Sequence, residues 1–362
     1  MDFTPVIYVI IPIYKAEKYI AQTLDSVLAQ PYPNIRIVCV DDGSPDDSIS
    51  IIREYKEKYD NIHMIHQENG GVSSARNTGI GYVLGRCTDR DYMAFLDADD
   101  LWARNVITPE QVSQNFDSDC VGFLEVLCSN NLLRVSKPLK REPNRLPGGQ
   151  NSIWCDGEVH FGAIFYSCRM IRSYHIRFLE GLRYTEDKQF KYTCLYLADH
   201  IRLIDQVLYC YRANPAGVMH TRKFGIGFMI PLIHGYLRTD AFLKPYENEI
   251  RGKASFARLL AGALVLEMIE EHYQCFGSRK ALTAALRADP VIEKLLLEID
   301  EAALTQRCRK LYDEYLLHND ALIWKCRVKG IVLLLRRVAQ RNRLLCRFLD
   351  ARRYSLPNIY LQ

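Results

Sequence analysis

The stretch YMAFLDADD, residues 92–100, ends an apolar run in three carboxylates within four positions: Asp97, Asp99 and Asp100. Like charges about 4 Å apart repel by ~1 kcal/mol in water and by ~4 kcal/mol at an effective dielectric near 20, so such a cluster needs a cationic partner. A divalent cation is the obvious one. Mg²⁺ or Mn²⁺ prefers oxygen ligands, typically taking one or two carboxylates while a substrate's phosphates complete its shell. Side chains alternate along a strand, so Asp97 and Asp99 leave its end in the same direction. Ala98 between them is small and leaves room for a substrate. Plainer chemistry is available too, because Asp99 or Asp100 can cap a short helix beginning at Leu101. Capping does not account for Asp97. A second acidic pair, Asp41 and Asp42 in VDDGS, closes another apolar run, and D-D-G-S is also ordinary turn chemistry.

These carboxylates require elements that deliver them to one place, and the first hundred residues supply a strand–helix alternation typical of a parallel sheet with crossover helices. VIYVIIPIY is apolar on both faces, as a central parallel strand should be. AEKYIAQTLDSVLAQ spaces Ile20, Leu24, Val27 and Leu28 as one helical stripe. NIRIVCV is a second buried strand, after which Asp46 or Asp47 can cap a helix carrying Ile49, Ile52 and Tyr55. NIHMIHQ is a short third strand, NGGVSSARNTGI a glycine turn feeding a helix, and DYMAFLDADD a fourth strand. Ligands of open parallel sheets gather outside the carboxyl ends of strands. Asp41, Asp42, Asp97, Asp99 and Asp100 are therefore expected to converge on one crevice.

The rhythm weakens through KPLKREPNRLPGGQNSIW and returns at FGAIFYSCRMIRSYHIRFLEGLRYTEDKQF. A last strand, HIRLIDQVLYCYR, precedes a helical region. The expected organisation is an α/β catalytic domain over residues 1–222 and a helical accessory region over 223–362. Hydrophobic residues make up 48% and charged residues 25% of the chain, the balance of a globular protein rather than a disordered one. The net charge of +4 is too small to argue for nucleic acid. Twelve cysteines without a C-x-x-C pair, and no secretory leader, point to reduced thiols in a cytoplasmic protein. No apolar run approaches the ~20 residues of a membrane span. Basic residues concentrate late, with ten Lys or Arg against one acid from Lys325 to Arg353. An apolar stripe beside that basic face suits peripheral contact with an anionic membrane, here the inner face of the cell membrane.

Five segments, VIIPIYKAEKYIAQTLDSVLAQ, IRIVCVDDGSPDDS, ENGGVSSARNTGI, YMAFLDADD and LRYTEDKQF, occur in an order that resembles glycosyltransferase family 2. Its members are inverting enzymes with a GT-A fold, a Rossmann-like, mostly parallel sheet flanked by helices. The resemblance covers roughly residues 6 to 222 and is of the bacterial surface-glycan type. It implies a nucleotide-sugar donor, expected to be a UDP-sugar, and a glycan or lipid-linked hydroxyl acceptor. By this resemblance Asp42 accepts from the ring N–H of uracil with Asp41 beside it, Pro12 and Tyr14 form the pocket wall, and Asn69 borders the base. Arg76 approaches the nucleotide or Asp97. Asp99 is the direct metal ligand, Asp97 reaches the ribose or the metal's waters, and His220 approaches the metal or the diphosphate. Asp187 matches the catalytic base, with Glu186 beside it for acceptor binding or orientation.

Two departures stand out. Lys15 occupies a position where members often carry Asn, and HFGAIFY replaces the usual Trp-Asn-Lys region where acceptors are contacted. The absence of a Q-x-x-R-W element speaks against a processive synthase and for transfer of a single sugar. The rival readings are a glycan-binding or scaffolding protein that keeps the fold without catalysis, and a sugar nucleotidyltransferase, for which IPIYKAEKY lacks the glycines.

Overall fold

The computed structural model describes residues 4–129, 132–135, 146–147, 159–182, 186–212, 226–246, 288–291 and 294. The chain divides into two compact units, Met1–Thr221 with Tyr246–Lys253, and Arg222–Pro245 with Ala254–Gln362. In the first unit the order runs β1 (Ile7–Ile13), α1 (Ile20–Leu28), β2 (Ile35–Asp42), α2 (Ser48–Lys58), β3 (Ile62–Gln67), α3 (Val72–Leu84) and β4 (Tyr92–Phe95). It continues with β5 (Leu101–Trp102), α4 (Pro109–Asn115), β6 (Cys120–Ser129), β7 (Leu132–Val135) and β8 (Leu146–Pro147). A 3₁₀ turn at Phe161–Ala163, β9 (Ile164–Ser167), α5 (Cys168–Ser173), α6 (Glu186–Leu197) and β10 (His200–Arg212) complete it. The second unit's principal described element is α7 (Ile226–Leu243), with Pro231 inside it.

The strands form one sheet in the order β3-β2-β1-β4-β9-β6-β10-β5, with β7 on β6 and β8 on β10. The first four are parallel, as their two-faced apolar sequences require, and every residue of β1 is buried. Beyond β4 the sheet is mixed: β9 runs antiparallel to both β4 and β6, while β10 pairs parallel with β6. The chain winds outward from β1 to β3, and α3 then carries it back across to β4 on the other side of β1. This reversal makes the carboxyl ends of β1 and β4 the topological switch point, where an open α/β sheet offers its crevice.

Helix α3 lies unusually close to the sheet. A Cβ at Gly79 would sit 2.4 Å from Ile10 Cγ2, so only glycine permits this approach. Arg76, one turn earlier, is thereby brought over the crevice, and it is buried. Helix α1 buries Ile20, Leu24 and Val27 as its spacing demands, whereas Leu28 is half-buried and the polar Thr23 and Ser26 are buried instead. Before α2, Asp47 occupies the N-cap position without a side-chain bond, and Asp46 Oδ1 accepts from the Ser48 N–H (3.2 Å) and hydroxyl (2.6 Å). No helix begins at Leu101. Leu101–Trp102 is a two-residue strand paired with Tyr209 and Cys210 of β10, so the helix-capping alternative for Asp99 and Asp100 is removed. The 137–154 stretch lies outside the described residues except for β8. His220 and the basic segment 325–353 lie wholly outside them.

Candidate active site

Each strand-end aspartate has a distinct environment. Asp100 is buried, and its carboxylate accepts from the Tyr209 hydroxyl (2.6 Å) and the Arg212 N–H (2.7 Å). Burial, then the charges of Asp97 and Asp99, push its pKa well above the ordinary carboxylate range, and those two hydrogen bonds oppose the shift. The Thr23 hydroxyl lies 2.8 Å from the Ala98 carbonyl and 2.9 Å from that of Asp100, sharing one proton between them. Arg212 Nε donates to the Asp99 carbonyl (2.8 Å), and its other end reaches Gln22 (2.8 Å). The 97–100 loop is thus fastened from α1 and from β10, while Asp97 and Asp99 stay half-buried.

Asp97 is tied to the rest of the site by Arg76. The guanidinium donates to Asp97 Oδ1 at 2.7 Å and to Glu186 Oε1 at 3.0 Å, with the arginine side chain 3% exposed. It lies over the rings of Phe161 and Phe178, 4.6 and 5.1 Å from their centroids. Those rings belong to an aromatic floor in which Phe178 and Phe190 stack at 4.1 Å and Phe95 packs edge-on against both. Burial works against the arginine's charge, and Asp97 and Glu186 outweigh it, so its pKa is raised. Its Nε is buried and unsatisfied by the protein. Burial raises the Glu186 pKa against the pull of Arg76, and Asp187 adds to the rise.

Asp187, the next residue of α6, lines a pocket of about 160 Å³ with Glu125, Val159, His160, Phe161, Lys188 and Lys191. His160 Nδ1 accepts from the Gly162 N–H (3.2 Å), and the ring packs at a tilt against Tyr209 with centroids 4.4 Å apart. Burial depresses its pKa, opposed by the carboxylates of Glu125, Asp187 and Asp97. Gly162 is required here because a Cβ would meet Tyr209 Cε2 at 2.4 Å and the Phe95 carbonyl at 2.9 Å. Lys191 is buried, and its ammonium donates to the Val159 carbonyl (3.1 Å).

At the end of β2 the aspartates bond chiefly to protein. Asp42 Oδ1 accepts from Gln67 Nε2 (2.7 Å) and the Gly70 N–H (2.8 Å), and Oδ2 from the Gly71 N–H (2.9 Å). Asn69 donates to the Asp42 carbonyl (2.9 Å). Asp42 therefore shapes the glycine turn that starts α3. Asp41 Oδ1 accepts from the Ser44 N–H (3.1 Å), and its Oδ2 lies 2.6 Å from Nδ1 of His66, whose side chain is 61% exposed. Pro12 is buried within β1, and Tyr14 just beyond it is exposed. Among the described residues no three His, Cys, Asp or Glu side chains form a ready metal cluster. No described helix is long and apolar enough to cross a membrane.

Arg76 thus joins Asp97 to Glu186, next to Asp187, while Asp41 and Asp42 end β2, which flanks β1 on the side away from β4, and Asn69 bonds to that strand end. Sequence reasoning missed Thr23, Tyr209, Arg212, His66 and His160. Only His160 left a trace, as the first residue of the divergent HFGAIFY segment.

The sheet order, the crevice at its switch point and the flanking helices are those of the GT-A fold. Staphylococcus aureus TarS, residues 1–349 in complex with UDP-GlcNAc, shares this fold, with a TM-score of 0.67 over 89% of this chain and 90% of that one at 17% identity. Residues 8–175 match the family described as glycosyl transferase family 2. The glycosyltransferase EpsJ of Bacillus subtilis is 31% identical over 221 residues, 58% of this chain and 62% of its own length. The minor teichoic acid biosynthesis protein GgaB of the same organism is 44% identical over 112 residues, 30% of this chain and 12% of its own. The matched segments thus span less than two thirds of either relative.

Proposed function

We propose that this protein transfers a single sugar from a UDP-sugar to a hydroxyl of a glycan or lipid-linked acceptor, with inversion, during assembly of a bacterial surface polymer. The observation that carries this reading is the Arg76 bridge. One buried guanidinium joins the strand-end loop bearing Asp97 to the helix bearing Glu186 and Asp187, so the donor-side carboxylates and the acceptor-side base share one rigid support. The polymer class is supported by the name of GgaB, and the donor class by the UDP-GlcNAc bound to TarS.

In this reading the nucleotide base lies against Pro12, Tyr14 and the Asp41–Asp42 strand end, bordered by Asn69. Glu186 is committed to Arg76 and orients it. Asp187, which faces the pocket, takes the proton of the acceptor hydroxyl as its oxygen attacks the anomeric carbon. Mg²⁺ or Mn²⁺ fits Asp99 and Asp97, with His220 as a third candidate ligand. Arg76 occupies one oxygen of Asp97 and a carboxylate has a second to offer, and hard oxygens on a half-buried loop are the donor set such ions take. A cation there would stabilise charge developing on the diphosphate leaving group. The basic segment 325–353 would hold the protein at the inner face of the membrane, near a lipid-linked acceptor.

The Asp187→Asn variant tests this reading against an inactive glycan-binding or scaffolding protein of the same fold. Transfer from the UDP-sugar that the wild type uses should fall by about 10²–10⁴-fold while calorimetric donor affinity stays within about twofold. Undiminished turnover would remove Asp187 as base. A wild-type chain that turns over no nucleotide sugar, with Mn²⁺ present, would overturn the enzymatic reading.

A further inference from the structure

At the opposite end of β4 from the aspartates, a second chemical cluster stands apart from the sugar-transfer site. Cys87 lies in the loop entering β4, and Cys168 follows the last residue of β9, where Ser167 pairs with Tyr92. The two thiols are hydrogen-bonded to each other, Cys87 half-buried and Cys168 fully buried. Arg172 of α5 holds the loop from one side. Its Nη2 donates to the Cys87 carbonyl (2.8 Å) and lies 3.1 Å from Cys87 Sγ, while Nη1 pairs with Asp89. Asp91 holds it from the other. Its carboxylate accepts from the Val6 and Thr88 N–H groups (2.8 and 2.7 Å), and its carbonyl accepts from the Cys168 N–H (2.9 Å).

We propose that Cys87 is a peroxide-reactive thiol and Cys168 its resolving partner, so that the chain carries a built site for reversible disulfide formation. The hydrogen bond from Cys168 and the adjacent guanidinium favour the Cys87 thiolate, lowering its pKa against the opposing effects of burial and Asp91. Cys168, which supplies that hydrogen bond, is held in the protonated form. Other described thiols are poor competitors. Burial pushes Cys39 up to about 12 and Cys194 well above the ordinary range, and Cys120 and Cys210 are also buried.

The chemistry balances with a hydroperoxide as oxidant. The Cys87 thiolate attacks one peroxide oxygen, the O–O bond breaks, and hydroxide leaves, so sulfur gives up two electrons and becomes a sulfenic acid. The Cys168 sulfur then attacks Cys87 Sγ. The S–S bond forms as the S–O bond breaks, and the thiol proton departs with that oxygen as water. A thiol reductant restores both cysteines by thiol–disulfide exchange: it attacks the S–S bond, passes through a mixed disulfide and leaves as its own disulfide. Because the two segments are already joined through Asp91 and Arg172, the link asks for little movement of the native fold. Its main effect is to restrict the unfolded chain.

The test is exposure of the full chain to one to two equivalents of hydrogen peroxide near neutral pH, followed by non-reducing peptide mass mapping. The expected dominant product is the Cys87–Cys168 cross-link, removed by dithiothreitol and accompanied by a rise in Tm of at least about 4 °C. In Cys168→Ser the reaction should halt at a dimedone-trappable sulfenic acid on Cys87. Oxidation scattered over the other cysteines without this link, or a Cys87 that stays reduced while others react, would overturn the proposal. Wild-type mapping alone decides this, whether or not the variant folds.

Discussion

At the carboxyl ends of β2 and β4 the aspartates are fixed by hydrogen bonds from backbone and side-chain groups. Around β6, β9 and α6 the groups facing the pocket rest on aromatic rings. On the first side Thr23, Tyr209 and Arg212 fasten the 97–100 loop, and Gly70 and Gly71 seat Asp42. On the second, His160 leans on Tyr209 and Phe161, and the helix bearing Asp187 packs Phe190 on Phe178. Hydrogen bonds fix direction, which would suit the proposed hold of these carboxylates on a diphosphate and its cation. Ring packing fixes position with less angular constraint, which would suit a pocket on the proposed acceptor side. Arg76 is the point where the two supports meet.

Breaking that meeting point should have the largest effect. Arg76→Met keeps the stem over Phe161 and Phe178 but leaves Glu186 buried opposite an unpaired Asp97, a cost of about 3–5 kcal/mol by analogy with other broken buried pairs. Urea denaturation should register this loss together with loss of transfer. A variant of wild-type stability would show that aromatic packing alone joins the two halves. Next in size is Tyr209→Phe, which deletes one donor to the buried Asp100 and should cost about 1.5–3 kcal/mol. Phe keeps the ring against which His160 packs, so the loss should fall on the 97–100 loop. Unchanged donor affinity in a destabilised variant would mean that this hydrogen bond supports the fold and not the donor side.

The contrast also explains what could be read from sequence. The parallel half was legible because its signals are local: apolar runs of strand length, a turn, an amphipathic helix, an acidic strand end. Asp97 and Asp99 declared themselves through spacing. The bracing was not legible, because Thr23 and Tyr209 reach the 97–100 loop from about 75 and 109 positions away, and nothing local marks a buried Thr on α1 as a fastener. Asp42 looked like a ligand-binding carboxylate, yet its oxygens also organise the glycine turn, a role that only three-dimensional proximity reveals. In the mixed half, the antiparallel pairing of β9 with β4 and β6 has no local signature at all. The pairing of Glu186 with Asp187 was visible only through family resemblance, and the division of their roles only through Arg76.

A smaller effect distinguishes the pocket side by pH. Burial holds the folded-state pKa of His160 below its ordinary value near 6.5, so the unfolded chain binds the proton more readily. Stability is therefore full above about pH 6.5 and declines as pH falls from there toward the folded pKa, by up to about 1 kcal/mol per pH unit from this group. His160→Gln keeps an acceptor for the Gly162 N–H and should remove that part of the slope. Equal wild-type and variant slopes between pH 7.5 and 5.5 would mean that the imidazole is as easily protonated in the fold as outside it.

The smallest effect tests the donor side, at the departure noted in its first loop. Lys15 follows β1 with φ at 55°, in the left-handed region that costs most L-residues and that Asn tolerates through its short polar side chain. This backbone conformation gives a physical reason for Asn to be common at this position in the family. Lys15 meets the strain in a loop otherwise fixed by hydrogen bonds, where the Ser48 hydroxyl accepts from the next N–H (3.0 Å). Lys15→Asn should therefore raise stability by about 0.5–1 kcal/mol, read as a shift in urea midpoint at constant slope. A neutral or destabilising result would mean that the Lys15 ammonium over the Tyr14 ring, 5.1 Å from its centroid, offsets the backbone strain. The lysine would then be a positive group retained beside the proposed base pocket rather than a tolerated misfit.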